Sequence, residues 1–220
     1  MPTQDFSIRI YGEMACFTRP EFSTERVSYE LITPSATRGV LDAVLWKPAI
    51  RWEIASIALL KPVRWLEFRR NEVNSRVSTR AALSAATSGT AITDFFADED
   101  RAQRNTLALK QVDYGVTARI HLTQRAGPED TLEKFHAMFA RRLEKGQQHY
   151  QPYLGCREFP ATIEFWDGTP APLAENRELG WMLHDLEFGP QNQARFFPAR
   201  LEHGVMHVPS WQTATAGGTL

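Results

Sequence analysis

The residues best suited to chemistry lie in one continuous segment, residues 128–163, which joins a charged helix, an aromatic and basic loop and a returning strand. Lys134 and His136 stand two positions apart in it. An ammonium can stabilise developing negative charge, and an imidazole, which titrates near about 6.5, can carry a proton. A lysine and a histidine beside the apolar Phe135 can equally be the flanks of a packed helix. Both interpretations remain open at this point.

A second group of side chains, suited to binding phosphate, comprises Arg69, Arg70 and Asn71 at the end of a predicted strand. Two guanidiniums can clamp a phosphate while an amide reads a base edge. Such a pair of arginines is also common on a solvated surface. Arg157 and Glu158 are similarly ambiguous, because they could form an internal ion pair that holds a strand in register.

The chain lacks the sequence patterns of metal, nucleotide and redox sites. Its six histidines show no HExxH pattern or paired spacing, and it has no GxxxxGK[ST] or GxGxxG loop. Cys16 and Cys156 are the two cysteines of this long chain, which indicates a reducing compartment, and neither has a CxxC partner or a metal-ligand spacing. We therefore expect no metal ion and no cofactor.

The composition predicts a globular chain without a general affinity for nucleic acid. Of 220 residues 43% are hydrophobic, enough for a core, and 25 basic against 26 acidic residues give a net charge of -1. Any nucleic-acid surface must therefore be a local patch. The N-terminal sequence lacks a signal-peptide pattern, and no apolar run of about 18 residues occurs. We expect a soluble, cytoplasmic protein of one domain with an appendage.

The apolar periodicity predicts alternating strands and helices that would position these residues. Strands are predicted at residues 6–11, 50–60, 63–73, 106–123 and 157–165. We expect the second and third to pair with each other and the fourth to be irregular at Gly115. One helix begins at Pro34, after Thr33 as N-cap, and ends before Lys47-Pro48.

The helix that carries Lys134 and His136 is predicted over residues 130–146. Asp130 is the expected N-cap, Glu133 takes the capping-box position and Gly146 ends the helix. Its buried stripe is predicted to consist of Leu132, Phe135, Phe139 and Leu143. Residues 134 and 136 point about 200° apart on an ideal helix, so joint action on one phosphate would need a frayed first turn.

The element order predicts an α+β fold: a ferredoxin-like (RRM-like) domain with two helices on one face of an antiparallel sheet, and a small C-terminal antiparallel sheet. The first domain spans residues 1–166, with a mobile insertion near 74–100 that is rich in Ser, Thr and Ala. Residues 167–211 form the small sheet and 212–220 a flexible tail. The strands of the small sheet are predicted at residues 179–188, 194–202 and 204–209.

Several strings of the sequence resemble a known family over nearly the whole chain. They are CFTRPEF, ERVSYELITPSATRGVLDAVLWKPAIRW, LKPVRWLEFRRNEV, QRNTLALKQVDYGV, GQQHYQPYLGCREFPA and ELGWMLHDLEF. Together they resemble the CRISPR-associated Cas five family of the type I-C (Dvulg) subtype. The resemblance implies an RNA-binding subunit of the type I-C effector complex. It also implies a metal-independent endoribonuclease that cuts the repeat of precursor CRISPR RNA and keeps the 5′ handle.

The family's catalytic residues carry over only in part. Leu45 stands where members typically have Tyr or His before the WKP string, and Phe135 follows Lys134 where they typically have His. Metal-independent cleavage needs a base for the 2′-hydroxyl, a cation for the phosphorane charge and an acid for the leaving oxygen. We assign these roles to Lys134 and His136. His149, with Tyr150, is a possible replacement, although a solvated loop is the simpler interpretation of both.

The resemblance also makes RNA contact the preferred role of the basic residues. The predicted RNA-binding residues are Arg26, Tyr29, Arg38, Lys47, Arg69, Arg70, Asn71 and Arg104. Tyr29 or Trp46 could stack on a base, and Trp46 could instead belong to the core. The implied partners are the CRISPR RNA repeat with its 5′ handle, the other effector subunits and, indirectly, target DNA; we expect no membrane partner.

Two alternatives remain. One is a binding subunit that holds the handle and assembles the complex without cleaving RNA. The other is a generic RRM-like RNA chaperone, for which the paired aromatic residues that stack bases are not evident.

Overall fold

The computed structural model describes residues 5–22, 24–76, 78–89, 96–187 and 193–216. It shows a mixed fold of three helices and a mostly antiparallel sheet. The elements are β1 Phe6–Ala15, β2 Arg26–Val27, α1 Pro34–Val44, β3 Ile50–Leu59, β4 Trp65–Val73, α2 Thr79–Ser88, β5 Arg101–Leu122, α3 Leu132–Glu144, β6 Thr162–Phe165, β7 Arg177–Glu187, β8 Gln193–Leu201, β9 Val205–His207 and β10 Thr215–Ala216. None of the helices is long and apolar enough to cross a membrane in the part of the chain that the structure describes.

The long strand β5 organises the main sheet, whose strand order is β6-β1-β5-β3-β9. β1 runs antiparallel to β5 on one side. On the other side β3 pairs with the second half of β5 and β4 pairs with the first half. The predicted pairing of the β3 and β4 segments with each other is therefore wrong. Each of them pairs instead with a different half of β5, which has 22 residues.

The irregular position in β5 is Gln111 and not Gly115. Gln111 has a φ of 54°, and it lies between the half of β5 that pairs with β3 and the half that pairs with β4. Gly115 is regularly paired with Arg9 and Ala58. Glycine is needed there because a Cβ atom would lie 2.5 Å from the Trp166 ring.

The helices α1 and α3 pack through their apolar faces on the sheet and contact each other. Thr33 caps α1 as predicted, with its hydroxyl oxygen accepting the Ala36 N–H at 3.2 Å. The cap of α3 is Thr131, not Asp130, because the Thr131 hydroxyl accepts the Lys134 N–H at 3.2 Å. The predicted stripe is confirmed for Phe135, Phe139 and Leu143, which are buried, whereas Leu132 is half-buried.

The predicted mobile insertion contains a helix, α2, that starts after Ser78 and ends at Gly89 with a φ of 66°. Ala85 is its buried residue. Serine, threonine and alanine concealed this helix because they give no strong apolar stripe. The strand β5 also begins earlier than predicted, at Arg101. Residues 90–95 of the insertion lie outside the described residues.

The C-terminal sheet has the order β10-β8-β7. Its third strand is β10, which comes from the segment predicted as a flexible tail; residues 217–220 of that segment lie outside the described residues. The strand predicted at residues 204–209 is present as β9, but it joins the main sheet by pairing with Ser56–Ala58 of β3. The C-terminal part is thus tied to the edge of the main sheet.

Candidate active site and nucleic-acid interface

Lys134 is exposed on the first turns of α3. Its ammonium Nζ lies 3.0 Å from Asp130 Oδ1 and 5.6 Å from the centre of the Phe135 ring. The pKa of Asp130 is lowered first by the hydrogen bond from the Gly127 N–H, then by Lys134, and also by the charge of Lys47. Lys47, in the loop after α1, is thus near enough to Asp130 for its charge to act on that carboxyl. The spacing of Asp130 and Lys134, four residues apart, was a signal for their ion pair that sequence reasoning missed.

His136 is half-buried and packs on Phe6 of β1, with the ring centres 4.6 Å apart. Its Nε2 atom is buried and has no hydrogen-bond partner among the described residues. Burial lowers the pKa of His136, so the neutral imidazole, which can accept a proton, prevails at neutral pH. The first turn of α3 is regular, with the Phe135 N–H bonded to the Thr131 carbonyl at 3.3 Å. The structure therefore does not bring Lys134 and His136 together on one side.

The two positions that depart from the family pattern are both in the core. Leu45 is 0% exposed and Phe135 is 2% exposed. Leu45 ends α1, and its backbone carbonyl accepts the indole N–H of Trp52 at 3.1 Å. The next residue, Trp46, is 61% exposed, so the alternative that it is a core residue is wrong.

The loop after α3 is held against the C-terminal end of α1. The His149 N–H donates to the Ala43 carbonyl at 2.7 Å, and Arg142 Nη1 donates to the Val44 carbonyl at 2.7 Å. Tyr150 is 44% exposed, with its hydroxyl 3.4 Å from the Gly39 carbonyl. His149 is thereby fixed near the residues that follow α1. We call the exposed region formed by Trp46, Lys47, Lys134 and His149 the α1–α3 junction.

The predicted cluster of Arg69, Arg70 and Asn71 is divided between the two faces of the β4–β5 ribbon. Arg69 and Asn71 are exposed and have long, 3.4 Å hydrogen bonds to Gln103 and Asn105 on the facing strand. Arg70 points to the other face.

On that second face Arg70 pairs with Glu158, and its guanidinium lies 5.2 Å from the Phe68 ring centre and 5.8 Å from that of Phe159. Arg70 was predicted to bind RNA, but the structure packs its guanidinium against two aromatic rings and pairs it with Glu158. Glu158 has the structural role considered for it, with Arg70 as the partner instead of Arg157. Sequence spacing could not reveal this pair, since its members are 88 residues apart.

Arg26 and Arg104 flank Glu72, at 3.4 Å and 3.7 Å. Arg26 also donates to the Cys156 thiol sulfur at 3.2 Å. The pKa of Cys156 is lowered, first by its hydrogen bond with Cys16 and then by Arg26. These two arginines line a cleft of about 520 Å³ near the far end of the ribbon, where β4 ends at Val73, so the structure leaves them accessible from solvent but partly neutralised.

Two residues predicted to bind RNA are engaged by other parts of the fold. Tyr29 is 1% exposed, and burial raises the pKa of its hydroxyl, so its ring cannot stack on a base. Arg38 binds Asp42 at 2.7 Å and Asp185 at 2.6 Å, which ties α1 to β7. The structure corrects both to roles in packing. The sequence around Tyr29 and Arg38 did not distinguish these two side chains from the more exposed residues predicted to bind RNA.

The sheet face opposite the helices carries ion pairs, and the rings on it, Tyr11 and Trp166, are already in contact with other groups. Arg9 binds Asp113 at 2.7 Å and Glu164 at 3.1 Å, and Arg119 binds Asp5. On the same face His121 pairs with Glu53, and the Arg9 guanidinium lies over the Tyr11 ring. The Trp166 ring lies over Gly115. This arrangement disfavours base stacking on the sheet in the manner of an RRM. Across the described ranges, no group of three or more His, Cys, Asp or Glu residues could hold a metal ion.

Comparisons with known proteins agree with the fold and the resemblance. The family model Cas_Cas5d, described as CRISPR-associated protein (Cas_Cas5), matches residues 7–209. The CRISPR pre-crRNA endoribonuclease Cas5d of Mannheimia succiniciproducens is 44% identical over 211 residues, covering 92% of this chain and 93% of that protein. The protein of the same name from Thermus thermophilus is 43% identical over 222 residues, covering 92% and 90%.

A solved structure described as a CRISPR-associated protein has the same fold, with a TM-score of 0.70 at 18% identity over 96% of this chain and 95% of that one. The predicted family is thus confirmed, and a match to a Cas5d model is consistent with the type I-C subtype. The chain belongs to the Cas5 family of CRISPR-associated proteins.

Proposed function

We propose that this protein is a metal-independent endoribonuclease that cuts the repeat of precursor CRISPR RNA and keeps the 5′ handle as a subunit of a type I-C effector complex. The observation that carries the proposal is the 43–44% identity, over 92% of the chain, to two relatives named pre-crRNA endoribonucleases. Its partners are the repeat RNA, the other effector subunits and, through them, target DNA.

The strand order supports a ferredoxin-like assignment for the first part of the chain. β1, β3, β5 and β6 alternate with α1 and α3 as in a split βαβ unit, and they take the order β6-β1-β5-β3 with antiparallel neighbours. We propose this fold as the platform that sets the α1–α3 junction at one end of the sheet.

In the proposed reaction the exposed Lys134 ammonium stabilises the negative charge of the phosphorane. A neutral imidazole takes the 2′-hydroxyl proton and then protonates the leaving 5′-oxygen. His136 has the lowered pKa that this role needs, but its ring must turn away from Phe6 to meet RNA. His149 is exposed beside α1 and is the second candidate for the proton carrier.

A non-catalytic subunit that only holds the handle is the competing function. It is favoured by the burial of Leu45 and Phe135, because neither position offers a phenol or an imidazole to solvent. RNA would then be bound at the α1–α3 junction and along the exposed ribbon face with Arg69 and Asn71, without being cut.

Incubating the purified protein with its cognate repeat RNA in excess EDTA separates these functions. We expect a single cut that persists in EDTA and is lost in Lys134→Ala. Loss in His136→Ala with retention in His149→Ala identifies His136 as the proton carrier, and the reverse identifies His149. Tight binding by the wild type without any cut would establish the non-catalytic subunit.

Trp46 offers a test of RNA binding that is independent of cleavage. Base stacking on an aromatic side chain contributes about 1–3 kcal/mol, so Trp46→Ala should weaken binding of the repeat RNA by about 5- to 150-fold. Trp181→Ala is the matched control, since Trp181 is 58% exposed against 61% for Trp46 and lies on β7. Equal affinities of the two variants would exclude the α1–α3 junction as the stacking site.

A further inference from the structure

The irregular position in β5, Gln111, borders a cleft that has no part in the function proposed above. This cleft has a volume of about 330 Å³ and is lined by Tyr11, Gly12, Glu13, Lys61, Pro62, Arg64, Gln111 and Val112. Two cationic side chains, Lys61 and Arg64, thus share one recess with a single carboxylate, that of Glu13. The segment Lys61–Arg64 is the connection between β3 and β4.

The two cations are available to an anion from solvent. The Lys61 side chain is 51% exposed, and its Nζ is 3.6 Å from Asp113 Oδ2. Asp113 is completely buried and is already bound by two nitrogens of Arg9, at 2.9 Å and 2.7 Å. Arg9, which also binds Glu164, makes the two short contacts to Asp113, whereas Lys61 makes a longer one and its half-exposed side chain lines the cleft.

Arg64 is held in place by a residue with a strained backbone. Its Nη1 donates to Gln111 Oε1 at 2.8 Å, and the Arg64 carbonyl accepts the Lys110 N–H at 2.9 Å. A φ of 54° is strained for a residue other than glycine, and such strain is concentrated at functional sites. The backbone of Gln111 is therefore in an unfavourable conformation, and its side chain orients the Arg64 guanidinium at the cleft.

We propose that Lys61 and Arg64 form a binding site for a backbone phosphate of the RNA, at the opposite end of the sheet from the α1–α3 junction. A guanidinium and an ammonium in one recess match the charge and hydrogen-bonding capacity of a phosphodiester. Gly12 lies six residues along β1 from Phe6, the partner of His136, so the cleft is about 20 Å from the position of His136. A few nucleotides of single strand can span that distance. The inference rests on the proposed binding of repeat RNA.

The test measures binding of the repeat RNA to the full-length protein as a function of salt concentration. The double variant Lys61→Ala, Arg64→Ala should bind on the order of tenfold more weakly, and its salt slope should fall by about 1 for each phosphate that the variant no longer neutralises. Glu13→Gln should change affinity in the opposite direction and bind more tightly. The matched control removes one lysine and one arginine elsewhere, Lys145→Ala and Arg200→Ala, and should behave as the wild type.

Each outcome decides one of the two proposals. Wild-type affinity and slope in the double variant, while the wild type binds RNA, would overturn the phosphate site alone. Failure of the wild type to bind repeat RNA would overturn the proposed function together with this site. A loss of affinity seen with single-stranded DNA of the same sequence but absent with RNA would overturn the assignment to RNA. As a control for folding, the double variant should have the same midpoint temperature of thermal unfolding as the wild type.

Discussion

Lys134 of the α1–α3 junction and the nearby His136 differ in how readily they can meet RNA. The ion pair of Lys134 with Asp130 is solvent-exposed and spans one helical turn, and such pairs are weak and screened by salt. A phosphate can therefore compete for Lys134. His136 differs, because its Nε2 atom is enclosed beside Phe6 and must be uncovered before it can act. The exposed His149 needs no such uncovering.

The lowered pKa of His136 predicts how stability responds to acid. Its charged form is disfavoured in the fold, so the unfolded state takes up the proton first, near the ordinary value of about 6.5. The contribution of neutral His136 to the free energy of unfolding is complete above that pH and is lost as pH falls below it. Urea unfolding at a series of pH values should show the wild type losing more stability on acidification than His136→Gln. His207→Gln, at an exposed position, should follow the wild type, and identical pH profiles for all three would contradict the prediction.

At the scale of an element, the position of the loop between α3 and β6 depends on a close backbone contact. Gly155 has a φ of 82°, and a Cβ atom there would lie 2.1 Å from the Cys16 carbonyl oxygen. This loop also presents Cys156 to Arg26 of β2 and Glu158 to Arg70 of β4, so it contacts both strands that pair with the first half of β5. Its geometry therefore determines where two of the arginines predicted to bind RNA lie.

Replacing this glycine should be far more damaging than replacing one with a similar backbone. Gly155→Ala should lower the free energy of unfolding by more than about 2 kcal/mol, because strain of the positive φ is added to a collision with backbone. Gly146→Ala is the control: its φ is 61° and no atom lies within 4 Å of the added Cβ, so the cost should be about 1 kcal/mol. Both values are measured by urea unfolding. Equal losses would show that the close approach to Cys16 has no role.

Elements whose signals are local could be predicted from the sequence, and partners that are distant in the chain could not. The caps of α1 and α3 and the stripe of α3 depend on residues a few positions apart; the cap of α3 was misplaced by one residue, and Leu132 of its stripe is only half-buried. The pairing of β4 with β5 and of Arg70 with Glu158 depends on the path of the whole chain. The same limit applies to the candidate site. The exposure of Lys134 could be predicted from its place on the helix, whereas the burial of Tyr29 depends on how distant parts of the chain pack.

At the scale of the whole molecule, the C-terminal part is joined to the main sheet by β9 and by the packing of α1 on β7. Met206 of β9 is 0% exposed and lies opposite Ile57 of β3. Arg38 of α1 binds Asp185 of β7. A division at residue 166 would therefore separate strands of one sheet, and we expect the described parts to unfold together.

The substitution Met206→Ala tests this cooperativity. Removing a buried side chain of this size should lower the free energy of unfolding by about 2–5 kcal/mol. Because β9 connects both parts, tryptophan fluorescence and far-ultraviolet circular dichroism should give one coincident transition in the wild type, shifted as a whole in the variant. Thr162→Ala, at an exposed position of β6, is the control and should leave the transition nearly unchanged. Two separate transitions, with only one displaced by Met206→Ala, would show that the C-terminal sheet is an independent unit and that the first domain ends near residue 166.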